Sequence, residues 1–134
     1  MELEELVMIK INVESTQIPV EIGELKVTID ATAEWEAKYK KLKEDFDKKT
    51  AAISKKTEDG SLKTETADKQ YFDLAGKSID AILGAGTAEH LLSISPNPRI
   101  LSGCYFSIKN ALDAELDLML VGVHKEKINR YLKG

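Results

Sequence analysis

The sequence predicts an α+β fold, a small N-terminal antiparallel β-sheet or hairpin followed by a mostly helical bundle. Three observations predict it. Up to Asp30, apolar and polar residues alternate, the period of a half-buried strand. From Ala33 onward, apolar residues recur three and four apart, the period of an amphipathic helix. The length of 134 residues suits one domain whose core needs no covalent staples. The expected organisation is a single domain over 1–134, with a β start over 1–30, a two-helix arm over 33–83, and central and C-terminal helices over 87–134.

The strands come first. VMIKINVE places Val7, Ile9, Ile11 and Val13 on one face; IPVEIG and ELKVTID follow, the second alternating Leu25, Val27 and Ile29. Ser15-Thr16-Gln17 and Gly23-Glu24 supply the turns, so two or three strands are expected.

The period then changes. Asp30 or Thr32 caps a helix starting near Ala33, because either side chain can accept from first-turn amides. Trp35, Tyr39, Leu42, Phe46 and Ile53 fall within roughly 60° on an ideal wheel. Such a narrow stripe makes one thin seam on an otherwise charged helix. The helix ends around Lys56, where TEDGS turns the chain. A second helix is expected from about Thr64 to Leu83, with Tyr71, Leu74, Ala75, Ser78, Ile79 and Ile82 on one face and Phe72 and Leu83 beside it. The short connection favours antiparallel packing against the first helix.

GAGTAE, Gly84 to Glu89, has the look of a phosphate-binding loop and fails the test. A dinucleotide fingerprint needs G-x-G-x-x-G directly after a strand. Here Glu89 replaces the third glycine, and the preceding FDLAGKSIDAIL is helical. No GK[ST] follows either. The expectation is structural: Gly84 ends the second helix in left-handed conformation, Thr87 caps a short third helix, and Glu89 sits in its first turn.

SISPNPRIL marks the next boundary, with Asn97 as cap and Pro98 as first helical residue of a helix running to about Leu120. Its apolar set is Ile100, Leu101, Cys104, Tyr105, Ile108, Ala111, Leu112, Leu116, Leu118 and Met119, an arc of roughly 160°. That breadth marks a central helix. A last amphipathic segment, VGVHKEKINRYLKG, follows, with Gly122 as the candidate break.

The formal net charge of −4 hides a division. From Glu2 to Glu36 only Lys10 and Lys26 oppose the acids, whereas KYKKLKEDFDKKTAAISKK, Lys38 to Lys56, is dominated by lysine. An acidic end and a basic middle would attract each other between copies. Nucleic-acid binding is disfavoured, because Glu44, Asp45 and Asp47 interrupt the run and it holds no arginine. The acidic opening, with its short apolar run, is unlike a signal peptide, and no stretch approaches about 18 apolar residues.

Catalytic chemistry finds little to work with. His90 and His124 have no histidine or cysteine at metal-ligand spacing. Cys104 falls in the apolar arc and reads as a small hydrophobe. Ser102 and Ser107 have no histidine at a suggestive spacing. Asp113, Glu115 and Asp117 look clustered, but residues two apart on a helix point to different faces. The expectation is a non-enzymatic protein without cofactor or metal. Two residues break the pattern: Glu115 falls inside the apolar arc of the central helix, and Phe106 falls outside it. A buried carboxylate needs a partner or water. Phe106, Glu115, Lys40, Lys41 and Lys43 are therefore the candidate residues for partner binding or self-association.

The stretch SIDAILGAGTAEHLLSISPNPRILSGCYFSIKNALDAEL, Ser78 to Leu116, resembles the tail assembly chaperones of long, non-contractile-tailed bacteriophages. The shared pattern is a helix, an "ILG" or "LFG" break with small residues and threonine or serine, a short helix, then a long final one. IKINVESTQIPVEI also looks like the start of small virion-assembly proteins that begin with a strand pair. The likeness covers about half the chain; the lysine-rich arm departs from it. The resemblance implies a protein that binds the tape measure protein and keeps it soluble until the tail tube polymerises around it. It implies many adjacent copies, hence a homo-oligomer, in the host cytoplasm and absent from the mature virion. Neither nucleic acid nor membrane is an expected partner. The rival from another class is a structural virion component, such as a head–tail connector or tail terminator.

Overall fold

The computed structural model describes Ile9 and residues 15–133, the last of these, 120–133, by their backbone alone. The order of elements is β1 (Gln17–Ile22), β2 (Leu25–Asp30), α1 (Ala33–Glu58), α2 (Thr64–Leu83), α3 (Thr87–Ile94) and α4 (Ile100–Lys133). The fold is α+β, an N-terminal hairpin followed by helices. The expected strand in VMIKINVE lies outside the described residues except for Ile9. Two compact units are distinguished, Met1–Lys38 and Tyr39–Gly134.

In the first unit β1 and β2 pair antiparallel, with Ile18 opposite Ile29, Val20 opposite Val27 and Ile22 opposite Leu25. Successive side chains on a strand alternate in direction, so these six apolar residues share one face. Burial is graded along that face: Ile18 and Ile29 are buried, while Val20, Ile22, Leu25 and Val27 are half-buried. The opposite face is polar, with an exposed cross-strand ion pair between Lys26 and Glu21 at 3.4 Å. The two-residue turn at Gly23-Glu24 sets the register. At the far end the Ala31 amide donates to the Thr16 carbonyl at 2.8 Å. Thr32, rather than Asp30, caps α1: its hydroxyl accepts from the Trp35 amide at 3.1 Å. Asp30 instead accepts from the Thr16 hydroxyl across the hairpin.

The second unit is helical. α2 begins and ends at the residues its periodicity marks. It packs most closely against α4, and also against α3. Its buried residues are Ala67, Ala75, Gly76, Ser78, Ile79, Ile82 and Leu83. They meet a core that includes Leu101, Tyr105, Ile108 and Leu112 of α4 and Leu91 of α3. Ile79 and Tyr105 are wholly enclosed; burying a side chain of Ile79's size contributes about 1.5–3 kcal/mol. At the closest approach a Cβ on Gly76 would lie 3.3 Å from Leu101 Cδ1 and 3.5 Å from the Ala88 Cβ.

The break between α2 and α3 is structural, although not in the expected way. Gly84 has φ 118 and ψ 151, so it is not the left-handed residue; Gly86 is, with φ 87 and ψ −5. Thr87 does not cap α3 either. Its hydroxyl reaches back to the Gly84 carbonyl at 2.7 Å. The cap comes from α2, where Asp80 Oδ1 accepts from the Ala88 amide at 2.8 Å. A carboxylate borrowed from the preceding helix serves the open first turn as well as a local one.

α4 differs from expectation in two respects. It is one continuous helix to Lys133, so Gly122 does not break it. Its buried arc is also narrower: Leu101, Tyr105, Ile108 and Leu112 are buried, but Ala111 is exposed and Leu118 is 63% exposed. The N-terminal approach follows the sequence reading in part. The Asn97 side chain accepts from the Arg99 amide at 3.0 Å, its carbonyl accepts from the Ile100 amide at 3.0 Å, and the first regular residue is Ile100 rather than Pro98.

Candidate functional site

The α1 seam meets α4 as well as α2. Where it meets α4 the contact is aromatic. The Phe46 and Tyr105 rings stack with centroids 4.0 Å apart at 22°. Phe106 closes the cluster edge-on, 5.8 Å from Phe46 and 5.3 Å from Tyr105. Helical periodicity places Tyr39 and Phe46 seven residues apart, two turns along one face. Each therefore reaches α4 at a different level.

At the Tyr39 level the contact is polar. Asp113 Oδ1 lies 2.8 Å from Lys43 Nζ and 2.8 Å from the Tyr39 hydroxyl. That hydroxyl also lies 3.2 Å from the Lys109 carbonyl, and Lys43 Nζ sits 4.4 Å from the centre of the Tyr39 ring. Lys109 Nζ reaches the other Asp113 oxygen at 4.0 Å. Burial pushes the Asp113 carboxyl up, but hydrogen bonds from Lys43 and Tyr39 and the charges of Lys43 and Lys109 outweigh it and hold the group below the usual carboxylate range. Burial and the adjoining Asp113 carboxylate together push the Tyr39 phenol far up. Tyr105, one level along, is pushed up to about 12 by burial and by the charges of Asp47 and Asp113. Its hydroxyl is buried without a hydrogen-bond partner. This is a latch that fixes α1 to α4; a lysine-bound carboxylate is a poor general acid or base.

Where α1 meets α2 the surface opens into a groove of about 340 Å³, lined by Lys49, Ala52, Ile53, Gln70, Asp73, Leu74 and Lys77. Ile53 and Leu74, half-buried, offer the apolar surface; Lys49, Lys77, Gln70 and Asp73 are exposed at its sides. Next in sequence to Ile53 and Gln70, the Ser54 and Tyr71 hydroxyls are 2.6 Å apart and join the two helices.

The residues singled out from sequence fall in different places. Phe106 is 48% exposed and lies at the edge of the aromatic cluster. Lys40 and Lys41 are exposed, whereas Lys43 is committed to Asp113. Glu115 is exposed, because the arc of α4 that is buried stops short of it; it needs no buried partner. Asp113, Glu115 and Asp117 do not converge: the first faces α1 and the other two are exposed. Among the described residues, no group of three or more histidine, cysteine, aspartate or glutamate side chains gathers at metal-binding distance. Cys104 is half-buried rather than buried, with its thiol pushed up by desolvation, which disfavours the nucleophilic thiolate. His90 Nε2 is buried without a partner; the His124 side chain lies outside the described ones.

Among the described residues, three large apolar side chains besides Ile9 stand out in solvent: Ile94 at 55%, Phe106 at 48% and Leu118 at 63%. No described helix is long and apolar enough to cross a membrane. Sequence reasoning missed the Tyr39–Lys43–Asp113 latch. Only the i,i+4 spacing of Lys109 and Asp113 hinted at it, since nothing in a sequence aligns Lys43 with a carboxylate 70 residues away. Comparison with protein-family models, with curated proteins and with solved structures finds no match for the chain.

Proposed function

We propose that the protein is a phage tail assembly chaperone, a non-enzymatic protein that binds the tape measure protein and keeps it soluble until the tail tube forms around it. The observation that carries this reading is the set of large apolar side chains held out to solvent by well-packed helices, Ile94 on α3 and Phe106 and Leu118 on α4. Single exposed hydrophobics are ordinary. These are spread over two helices, and a chaperone for a long helical chain needs separate, individually weak apolar contacts so that it can be released. The order of elements in Ser78–Leu116 also supports it: a helix, a glycine break, a short helix and a long helix, as the family resemblance implies.

In this reading the protein acts in the host cytoplasm as an oligomer and leaves before the virion matures. Co-expression with the tape measure protein of the same phage tests it directly. The expected result is that the tape measure protein moves from the insoluble to the soluble fraction and co-purifies with the chaperone. A tape measure protein that stays insoluble at equal expression overturns the reading. Protein-stained purified particles give the second check: the chaperone is absent from them, whereas a connector or terminator is present.

A further inference from the structure

We infer that the groove between α1 and α2 receives the β-hairpin tip of a second copy, so that the chain assembles head to tail. The inference deepens the proposed function, resting on the self-association that reading calls for. Two surfaces carry it. The first is the hairpin, whose apolar face needs covering in water. Here the inner pair, Ile18 and Ile29, is buried, while the outer pairs are only half-buried, ending at Ile22 and Leu25 beside the turn. The second is the groove. A volume of about 150 Å³ accepts a benzene-sized group, so 340 Å³ has room for two aliphatic side chains such as Ile22 and Leu25.

Charge points the same way. Lys49 and Lys77 flank the groove against one acid, Asp73. Glu24 stands exposed in the turn next to Leu25, in a region where acids far outnumber lysines. Seating the tip places Glu24 near the two lysines, and their attraction sets the orientation while the apolar pair holds the contact. Because tip and groove are different surfaces, a joined pair retains one free tip and one free groove. The contact is heterologous and propagates into an open chain or a closed ring. A string of copies is the geometry that lining a long partner requires.

The test uses the full chain alone, in sedimentation velocity at rising concentration. The wild type should gain mass with concentration. Ala52→Glu, at an exposed position in the groove, and Ile22→Lys, at the tip, should each remain monomeric with unchanged helicity. Mixed in equal amounts they should form a complex of two chains and nothing larger, since one supplies an intact tip and the other an intact groove. Glu24→Lys should weaken assembly, and adding Lys77→Glu should restore it; this pair keeps the test decisive if Ile22→Lys disturbs the hairpin. A wild type that stays monomeric, variants that assemble like the wild type, or a mixture that fails to pair overturns the inference. Solubility of a co-expressed tape measure protein is read separately, so failure of this contact and failure of the chaperone reading are told apart.

Discussion

The ring of Phe46 lies almost parallel to that of Tyr105, 4.0 Å away, and so joins the first helix to the last across a long stretch of chain. Phe46 is 5% exposed and Tyr105 is fully enclosed. Stacked aromatics contribute about 0.5–1.5 kcal/mol beyond the area they bury. Phe46→Ala should cost about 3–5 kcal/mol, the range for truncating a large aromatic in a core. From the sequence, where Phe46 belongs to a thin peripheral seam, the expected loss is smaller and is confined to the arm. Urea unfolding measures the cost, and hydrogen exchange locates it: amides from Ile100 to Leu112 should lose protection together with those of α1.

Tyr105 and Tyr39 make a matched pair of phenols with opposite expectations. The Tyr105 hydroxyl is buried with no partner, so its desolvation cost is uncompensated. Tyr105→Phe should leave stability unchanged or raise it slightly. The Tyr39 hydroxyl donates to Asp113, a charge-assisted bond. Tyr39→Phe should cost about 1.5–3 kcal/mol. Thermal or urea melts of the two variants side by side decide it: a larger loss at Tyr105 than at Tyr39 would contradict the assignment.

Two helical glycines should likewise diverge when changed to alanine. Gly103 in α4 has open space where a Cβ would go. Gly103→Ala should therefore stabilise by about 0.5–1 kcal/mol through helix propensity alone. At Gly76 the new methyl meets Leu101 Cδ1 at 3.3 Å. Overpacking a tight core costs about 1–3 kcal/mol, enough to cancel or reverse the propensity gain. Gly76→Ala should be neutral to destabilising in the same melts.

The latch gives stability a dependence on acid. Asp113 is held below the ordinary carboxylate range in the folded state, so it binds its proton less readily there than in the unfolded chain. Its contribution is fully present above the unfolded value, about 3.9, and is lost as pH falls from there through the lower folded value. Asp113→Asn removes that term. The variant should be less stable near neutral pH, and its melting temperature should fall less steeply than that of the wild type below about pH 4. Parallel slopes for the two proteins would show that the latch does not contribute.

Much of the fold was legible because it follows from period and punctuation. The alternation in ELKVTID, the limits of α2 and the turn in TEDGS each follow from residues within a few positions of one another, although α1 runs on to Glu58 rather than ending around Lys56. What was hidden depends on distant neighbours. The Asp80 carboxylate caps α3 because the Gly84-Ala85-Gly86 turn swings the Ala88 amide back toward α2. By sequence Asp30 is as good a cap for α1 as Thr32, but its carboxylate is bonded across the hairpin to Thr16. The breadth of the α4 stripe overstated its burial, because Ala111 and Leu118 fit the apolar pattern but stand in solvent. Of the candidate contact residues, Phe106 could be singled out by lying off the apolar arc. Lys43 could not be separated from Lys40 and Lys41, since only the position of Asp113 distinguishes them.

That separation shapes the test of partner binding. Reversing Lys43 would break the latch, so it cannot report on an external contact alone. Lys40 and Lys41 are exposed and free of the latch. Lys40→Glu with Lys41→Glu should leave the melting temperature nearly unchanged, because exposed charges contribute little to folding. If the basic face steers acidic partners or copies, the double variant should associate more slowly or weakly. The contrast with wild type should be largest at low salt and fade at physiological ionic strength, where charges are screened over about 8 Å. Phe106→Ser tests the apolar share. It sacrifices two edge contacts, so a modest loss of stability of about 1 kcal/mol is expected. Its effect on tape measure solubility should persist at every salt concentration. Light scattering across a salt series, with melts as control, separates the two. If the Phe106 variant keeps the tape measure protein as soluble as wild type does, that ring belongs to the α1–α4 contact and not to the surface that binds the partner.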